Sequence, residues 1–200
     1  MATDICLDMI ISLIKAQKTD NTLSSGKSSI RGAHYLLGQI IRQYVIPDKN
    51  HYISKEAKKL WSELSDDNIW NYIYTNKFEL KADHELSHFV GAEKTPRPSV
   101  KHKKGEKIEF RSVFHDEHII SIEVITKRLC NLSDAELNYE KVKEILDSIV
   151  ICRILKEEDK KLPRKRYQTF EDNRDKVYKP QGVIIEEAYE EYKNRTRKDI

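Results

Sequence analysis

The stretch KIEFRSVFHDEHIISIEVITKRLCNL, residues 107–132, passes from a strand pattern into a helix pattern. Residues 107–114 alternate, with Ile108 and Phe110 apolar between polar neighbours, which predicts a strand. Residues 121–132 place apolar side chains at spacings of three and four, which predicts a helix. A strand that leads into a helix in the middle of the chain indicates an α+β protein.

The patterns on both sides of this stretch are mainly helical. They predict helices over residues 3–16, 34–46, 54–65, 65–76, 138–149 and 184–200, a basic loop or ribbon over 91–107, a strand over 150–155 and a helical turn opening 156–167. Ser54 is a suitable N-cap, and Pro47 ends the second helix. We therefore expect a helix-dominant α+β fold, with a small central sheet and flanking helices. One domain is expected over 1–200, with a mainly helical part at 1–90, the motif region at 107–167 and a C-terminal extension at 168–200.

Composition limits the classes of protein. The chain has 200 residues, 34% of them charged, and a formal net charge of +3, so any surface for nucleic acid must be local. The three cysteines have no C-x-x-C spacing, which excludes a zinc-finger pattern and suits a reducing, cytoplasmic location. No apolar run reaches the roughly 20 residues of a membrane helix, so no membrane partner is expected.

The stretch ADHELSHFVG, residues 82–91, contains the pattern H-E-x-x-H. On a helix, His84 and His88 would lie one turn apart and could bind Zn²⁺, with Glu85 as general base. The third ligand would come from Glu109, Glu117 or Glu123. A zinc metallopeptidase is therefore one hypothesis, and two ordinary surface histidines are the alternative.

The stretch VFHDEHIISI, residues 113–122, offers a rival metal site. Four consecutive side chains that can bind a metal, His115, Asp116, Glu117 and His118, lie between apolar pairs. Placing that much charge between core segments costs free energy unless a partner, such as a metal or a basic residue, compensates it. The alternative is a hydrogen-bonded turn at the end of a strand.

The acid–histidine step Glu117–His118, followed by apolar residues, resembles the first motif of the HNH, or ββα-metal, nucleases. The resemblance implies that Glu117 binds a divalent metal, Mg²⁺ or Mn²⁺, and that His118 activates water, with His115 and Asp116 as alternative ligands. Ser121 stands where the family usually has proline, and Asn131 stands near the family's middle polar residue. Glu157, Glu158 or Asp159 would supply the remote ligand.

Two basic clusters flank this motif in the sequence. The residues that we expect to contact phosphate are Lys101, Lys103, Lys104 and Lys107 in the first cluster, and Arg164, Lys165 and Arg166 in the second. The alternative is a pair of solvated charged surfaces.

The leading hypothesis is thus a metal-dependent endonuclease acting on DNA, in restriction or in a phage-related role. It would act as a two-fold homodimer if it cuts palindromic sites. The competing hypotheses are the zinc metallopeptidase and a non-catalytic protein that binds nucleic acid or inhibits another system.

Overall fold

The computed structural model describes residues 2–19, 29–47, 50–67, 69, 79–81, 83–89, 96–104 and 107–187. In chain order the elements are α1 (Ala2–Thr19), α2 (Ser29–Ile41), β1 (His51–Ser54), α3 (Lys55–Leu64), β2 (Ser87–Phe89), β3 (Pro96–Lys104), β4 (Lys107–Ser112), β5 (Phe114–His118), α4 (Ile122–Cys130), α5 (Tyr139–Asp147), β6 (Ile151–Leu155), α6 (Lys156–Asp159), α7 (Phe170–Asn173), a π-helix (Arg174–Tyr178), a 3₁₀-helix (Lys179–Gln181) and β7 (Ile185–Glu187). The architecture is α+β with a small sheet, as the sequence predicts.

The chain forms two compact units. The helical unit comprises Met1–Asn50, His118–Val150 and Lys165–Asn173, and the sheet unit comprises His51–Glu117, Ile151–Arg164 and Arg174–Ile200. Within the part of the chain that is described, no helix is long and apolar enough to cross a membrane.

Four of the helices in the helical unit, α1, α2, α4 and α5, each pack against two of the others. α1 contacts α2 and α5, and α4 contacts the same two helices. Each helix contributes a row of buried apolar side chains at helical spacing: Leu7, Ile10 and Ile14; Leu37, Ile40 and Ile41; Ile122, Ile125 and Leu129; Val142, Ile145 and Leu146. Burial of these rows holds the four helices together, since each fully buried aliphatic side chain contributes about 1.5–3 kcal/mol.

Two of these helices begin at side-chain caps. Val124 N–H donates to Ser121 Oγ at 3.3 Å, and Lys141 N–H donates to Asn138 Oδ1 at 2.9 Å. Each cap satisfies a backbone donor that the first turn leaves without a helical partner, which fixes where α4 and α5 start.

The sheet unit contains a four-stranded sheet in the order β5-β6-β1-β7. β1 runs parallel to β6 and antiparallel to β7. Lys156 N–H donates to Val113 O at 2.9 Å and Ile119 N–H to Val150 O at 3.0 Å, so β5 runs antiparallel to β6. This register places Asp116 opposite Arg153 and Glu117 opposite Cys152.

Helix α3 covers one part of this sheet. It begins at Ser54, whose Oγ accepts from Ala57 N–H at 3.1 Å, as the sequence predicts for the cap. Its buried residues Ala57, Trp61 and Leu64 join Ile53 and Phe114 in one apolar cluster. The rings of Trp61 and Phe114 lie 6.2 Å apart at 59°, which anchors the start of β5 in the core.

A second sheet of three strands has the order β2-β3-β4. The stretch 107–114, predicted as one strand, is divided into β4 and β5 at Val113. Residues 96–104 form a strand, which agrees with the predicted ribbon. The helix predicted at 184–200 is wrong over Ile185–Glu187, which pair with β1 as β7, and its remainder lies outside the described residues. Most of the helix predicted at 65–76 also lies outside them.

Candidate metal centre

Strand β5 presents His115 and Glu117 on one face of the four-stranded sheet. Residues two apart in a strand share a face, so Asp116 and His118 belong to the other face. His115 Nε2 lies 3.3 Å from Glu117 Oε2, with side-chain exposures of 39% and 16%. The strand therefore brings an imidazole and a carboxylate together at a site that is partly shielded from water.

Asp159 completes this group from a distant part of the sequence. It is the last residue of α6, the turn of helix that follows β6, and β6 lies beside β5. One ligand atom from each of His115, Glu117 and Asp159 lies within 4.8 Å of the other two. We call these three residues the His115 cluster.

The electrostatic field around the His115 cluster is negative. The hydrogen bond with Glu117 raises the pKa of His115, burial opposes this, and the charges of Asp159, Glu117 and Asp116 raise it further. The pKa of the Cys152 thiol, on the neighbouring strand, is raised well above its usual value by burial first and then by Glu158, Asp116 and Glu117. Such a field favours a bound cation.

Tyr178 lies at the edge of the cluster. Its hydroxyl is 3.5 Å from Glu117 Oε1, the oxygen that does not face His115, and the tyrosine is fully buried. Tyr178 ends the π-helix Arg174–Tyr178. Elements of this kind are rare in proteins overall, and those that occur are often at functional sites. Tyr178 is not among the residues that the sequence predicts for the site, and no motif near it indicates such a role.

The structure gives Asp116 a different partner from the cluster. Its two oxygens accept from Arg153 Nε and Nη2, both at 2.6 Å. The Arg153 side chain is 9% exposed and the Asp116 side chain 50%. This pair is not among the sequence predictions, although one arginine inside the apolar run VICRIL indicates a buried partner.

Glu158 is likewise occupied elsewhere. It is 5% exposed, and its Oε2 accepts from Ser54 Oγ at 2.6 Å and from Leu155 N–H at 2.8 Å. These bonds join the start of α6 to the end of β1. Glu158 thus fixes the turn that carries Asp159, while Glu157 is exposed and pairs with Lys160 at 2.6 Å.

His118, the predicted base, is the last residue of β5 and follows Glu117 directly. It is half-buried. By strand alternation it leaves β5 on the face of Asp116, opposite to His115 and Glu117.

The two basic clusters occupy different elements. Lys101, Lys103 and Lys104 lie on β3, and Lys107 begins β4. In the second cluster Arg164 and Lys165 are exposed and Arg166 is half-buried, and Lys165 Nζ lies 5.0 Å from the centre of the Tyr167 ring.

The HELSH pattern does not lie on a helix. His84 is in a turn, where its Nδ1 accepts from Leu86 N–H at 3.1 Å, and His88 is in β2, paired with Arg97 of β3. The expectation that both imidazoles project from one helical face is therefore wrong. The one-turn spacing that a zinc helix requires is not formed.

Comparison with models of known protein families, with curated proteins and with solved structures gives no match for this chain.

Proposed function

We propose that this protein is a metal-dependent nuclease that hydrolyses phosphodiester bonds in DNA. The observation that carries the proposal is the convergence of His115, Glu117 and Asp159, which are separated in sequence, on ligand atoms within 4.8 Å of one another. The same stretch contains the Glu117–His118 step that resembles the HNH nucleases.

The donor set suits a hard divalent cation. Two ligands at right angles, each about 2.1 Å from Mg²⁺ or Mn²⁺, lie about 3 Å apart. The distance from His115 Nε2 to Glu117 Oε2 is 3.3 Å, which is close to that value. Two carboxylates and one imidazole are ligands that suit Mn²⁺ or Mg²⁺. Structural zinc sites, by contrast, are rich in thiolates.

When bound, the cation would neutralise charge that develops on the scissile phosphate. The chain's own residues would do the rest. Glu117 and Asp159 would hold the cation, with His115 as third ligand. His118, which the sequence predicts as the base, leaves β5 on the opposite face from His115 and Glu117. Glu158 would act through Asp159, because its bonds to Ser54 and Leu155 keep α6 in place.

The experiment combines metal binding with cleavage of duplex DNA by the purified protein. Mn²⁺ affinity is measured by calorimetry, and cleavage is measured with Mg²⁺, Mn²⁺ or EDTA. We expect Asp159→Asn and Glu117→Gln to weaken Mn²⁺ binding by about 10–100-fold. We expect His118→Ala to keep native Mn²⁺ affinity and to cleave DNA, because His118 leaves β5 on the other face. His84→Ala is the matched control, and it should leave both properties unchanged.

Other outcomes reassign the roles. If His115→Ala abolishes cleavage with unchanged Mn²⁺ affinity while His118→Ala cuts normally, His115 is the base and His118 has no role. Metal-independent binding of DNA without cleavage under any condition would support the non-catalytic hypothesis. Stoichiometric zinc that is lost in His84→Ala would support the metallopeptidase instead.

A further inference from the structure

The strand β3 has two different partners along its length. Its first three residues, Pro96, Arg97 and Pro98, pair with β2, and residues 99–104 pair with 107–112 of β4. Within the segment 99–112, residues 99–104 and 107–112 therefore pair as two antiparallel strands that continue beyond the last residue of β3 paired with β2. We call this segment the basic arm.

The basic arm concentrates the charge of the chain. It contains five cationic residues, Lys101, Lys103, Lys104, Lys107 and Arg111, and two acidic ones, Glu106 and Glu109, so its formal charge is 5 − 2 = +3. The whole chain has a formal charge of +3, so the remaining residues sum to zero. The net positive charge of the whole chain thus equals the net charge of this arm.

Strand pairing alone does not account for this charge. The register places Lys104 opposite Lys107, and like charges opposite each other destabilise an antiparallel pair. Lys103 is exposed. A segment that carries such a pair is suited to a partner of opposite charge.

The dimensions of the arm fit one groove of DNA. Six paired residues span about 20 Å, and the two strands lie about 4.8 Å apart. The major groove of B-form DNA is about 12 Å wide and admits a two-stranded ribbon, whereas the minor groove is about 6 Å wide.

We infer that the basic arm enters the major groove of duplex DNA and holds the duplex by its phosphates. The inference rests on the proposed function for its choice of DNA as the polyanion. The arm, and not the segment Arg164–Arg166, then supplies most of the salt-dependent affinity.

The test measures binding of a short duplex by fluorescence anisotropy in EDTA, over a series of salt concentrations, so that cleavage does not interfere. The arm variant is Lys101→Ala/Lys103→Ala/Lys104→Ala. The matched control, Lys15→Ala/Lys55→Ala/Lys59→Ala, removes the same charge from exposed positions on α1 and α3. Lys103→Ala alone serves if the triple variant does not fold by circular dichroism.

For the arm variant we expect the slope of log Kd against log salt to fall by about 2–3. At about 0.1 M salt, its Kd should rise at least about tenfold. For Lys103→Ala alone the slope should fall by about 0.9. The control should stay within about threefold of the native protein.

A second duplex, with a bulky sugar on the cytosines that fills the major groove, should bind at least about tenfold more weakly than the plain duplex. A small-molecule minor-groove ligand should not compete with the protein.

Native affinity and slope in the arm variant would overturn the inference, as would equal binding of plain and sugar-modified duplexes or complete absence of DNA binding. Cleavage by the native protein in Mn²⁺ is measured in parallel. Binding through the arm without cleavage would remove the proposed nuclease and leave the inference standing. If the native protein cleaves DNA and the arm variant binds DNA normally, the proposed nuclease stands and the inference about the arm is removed.

Discussion

Replacement of Ser54 by alanine tests how the sheet unit holds Asp159 in place. Ser54 Oγ makes two bonds: it donates to Glu158 Oε2 at 2.6 Å, and it accepts from Ala57 N–H at 3.1 Å as the cap of α3. Ser54 is fully buried and Glu158 is 5% exposed, so water cannot replace the lost hydroxyl without opening the site.

The two bonds set the magnitude. A buried hydrogen bond to a carboxylate contributes about 1.5–3 kcal/mol, and loss of a serine N-cap costs about 1 kcal/mol. We therefore expect Ser54→Ala to lower the free energy of unfolding by about 2.5–4 kcal/mol. The midpoint of urea denaturation should fall with little change in the slope of the transition.

The assay is urea denaturation followed by circular dichroism in EDTA, and the matched control is Ser62→Ala. Ser62 lies on the same helix, is exposed, and its hydroxyl donates only to Lys59 O at 2.7 Å in the described contacts, so it should change stability by less than about 0.5 kcal/mol. A Ser54→Ala variant as stable as the control would refute the reasoning. So would additive effects of Ser54→Ala and Glu158→Gln, because residues that share a bond must couple.

Three further substitutions test the two faces of β5. Asp116→Ala should lower the free energy of unfolding by about 2–4 kcal/mol, because it takes both carboxylate oxygens from the buried guanidinium of Arg153. Arg153→Leu should lower the free energy of unfolding by less than about 1 kcal/mol, since Asp116 is half exposed and water can solvate it. If urea denaturation shows that Arg153→Leu is the more destabilising of the two substitutions, this reasoning is contradicted. The pKa of His115 is raised in the folded state by Glu117, so His115 adds stability below its unfolded pKa, and this contribution is lost as pH rises through the folded pKa. His115→Gln should remove this part of the pH dependence of unfolding in EDTA, and an unchanged profile would show that the pair is not formed.

Local signals in the sequence determined most of the elements. Ser54, Ser121 and Asn138 each begin a helix, because a side-chain oxygen can satisfy a first-turn N–H with no help from the rest of the fold. The apolar spacing that follows each cap identifies the buried face of the helix, because residues three and four apart lie on the same side. The α+β class follows from these elements.

The candidate site was only partly predictable. His115, Glu117 and Asp159 were all named from the sequence, but within a set that also contained Asp116 and Glu158. Alternation along β5 turns Asp116 away from Glu117, and it pairs with Arg153 from the neighbouring strand. Glu158 and Asp159 are adjacent in sequence, yet one is bonded to Ser54 and the other belongs to the His115 cluster.

Only the tertiary structure decided which of these residues come together, because the strands that pair are far apart in the sequence. The pairing of β5 with β6 brings Asp159, the last residue of the helical turn that follows β6, beside the acid–histidine stretch of β5. The same limit explains HELSH, where a spacing of four was consistent with a helix but pairing with β3 placed His88 in a strand. A periodic pattern indicates which side of a segment is apolar and can be buried. Which strand the segment pairs with depends on backbone hydrogen bonds that form only when the chain is folded.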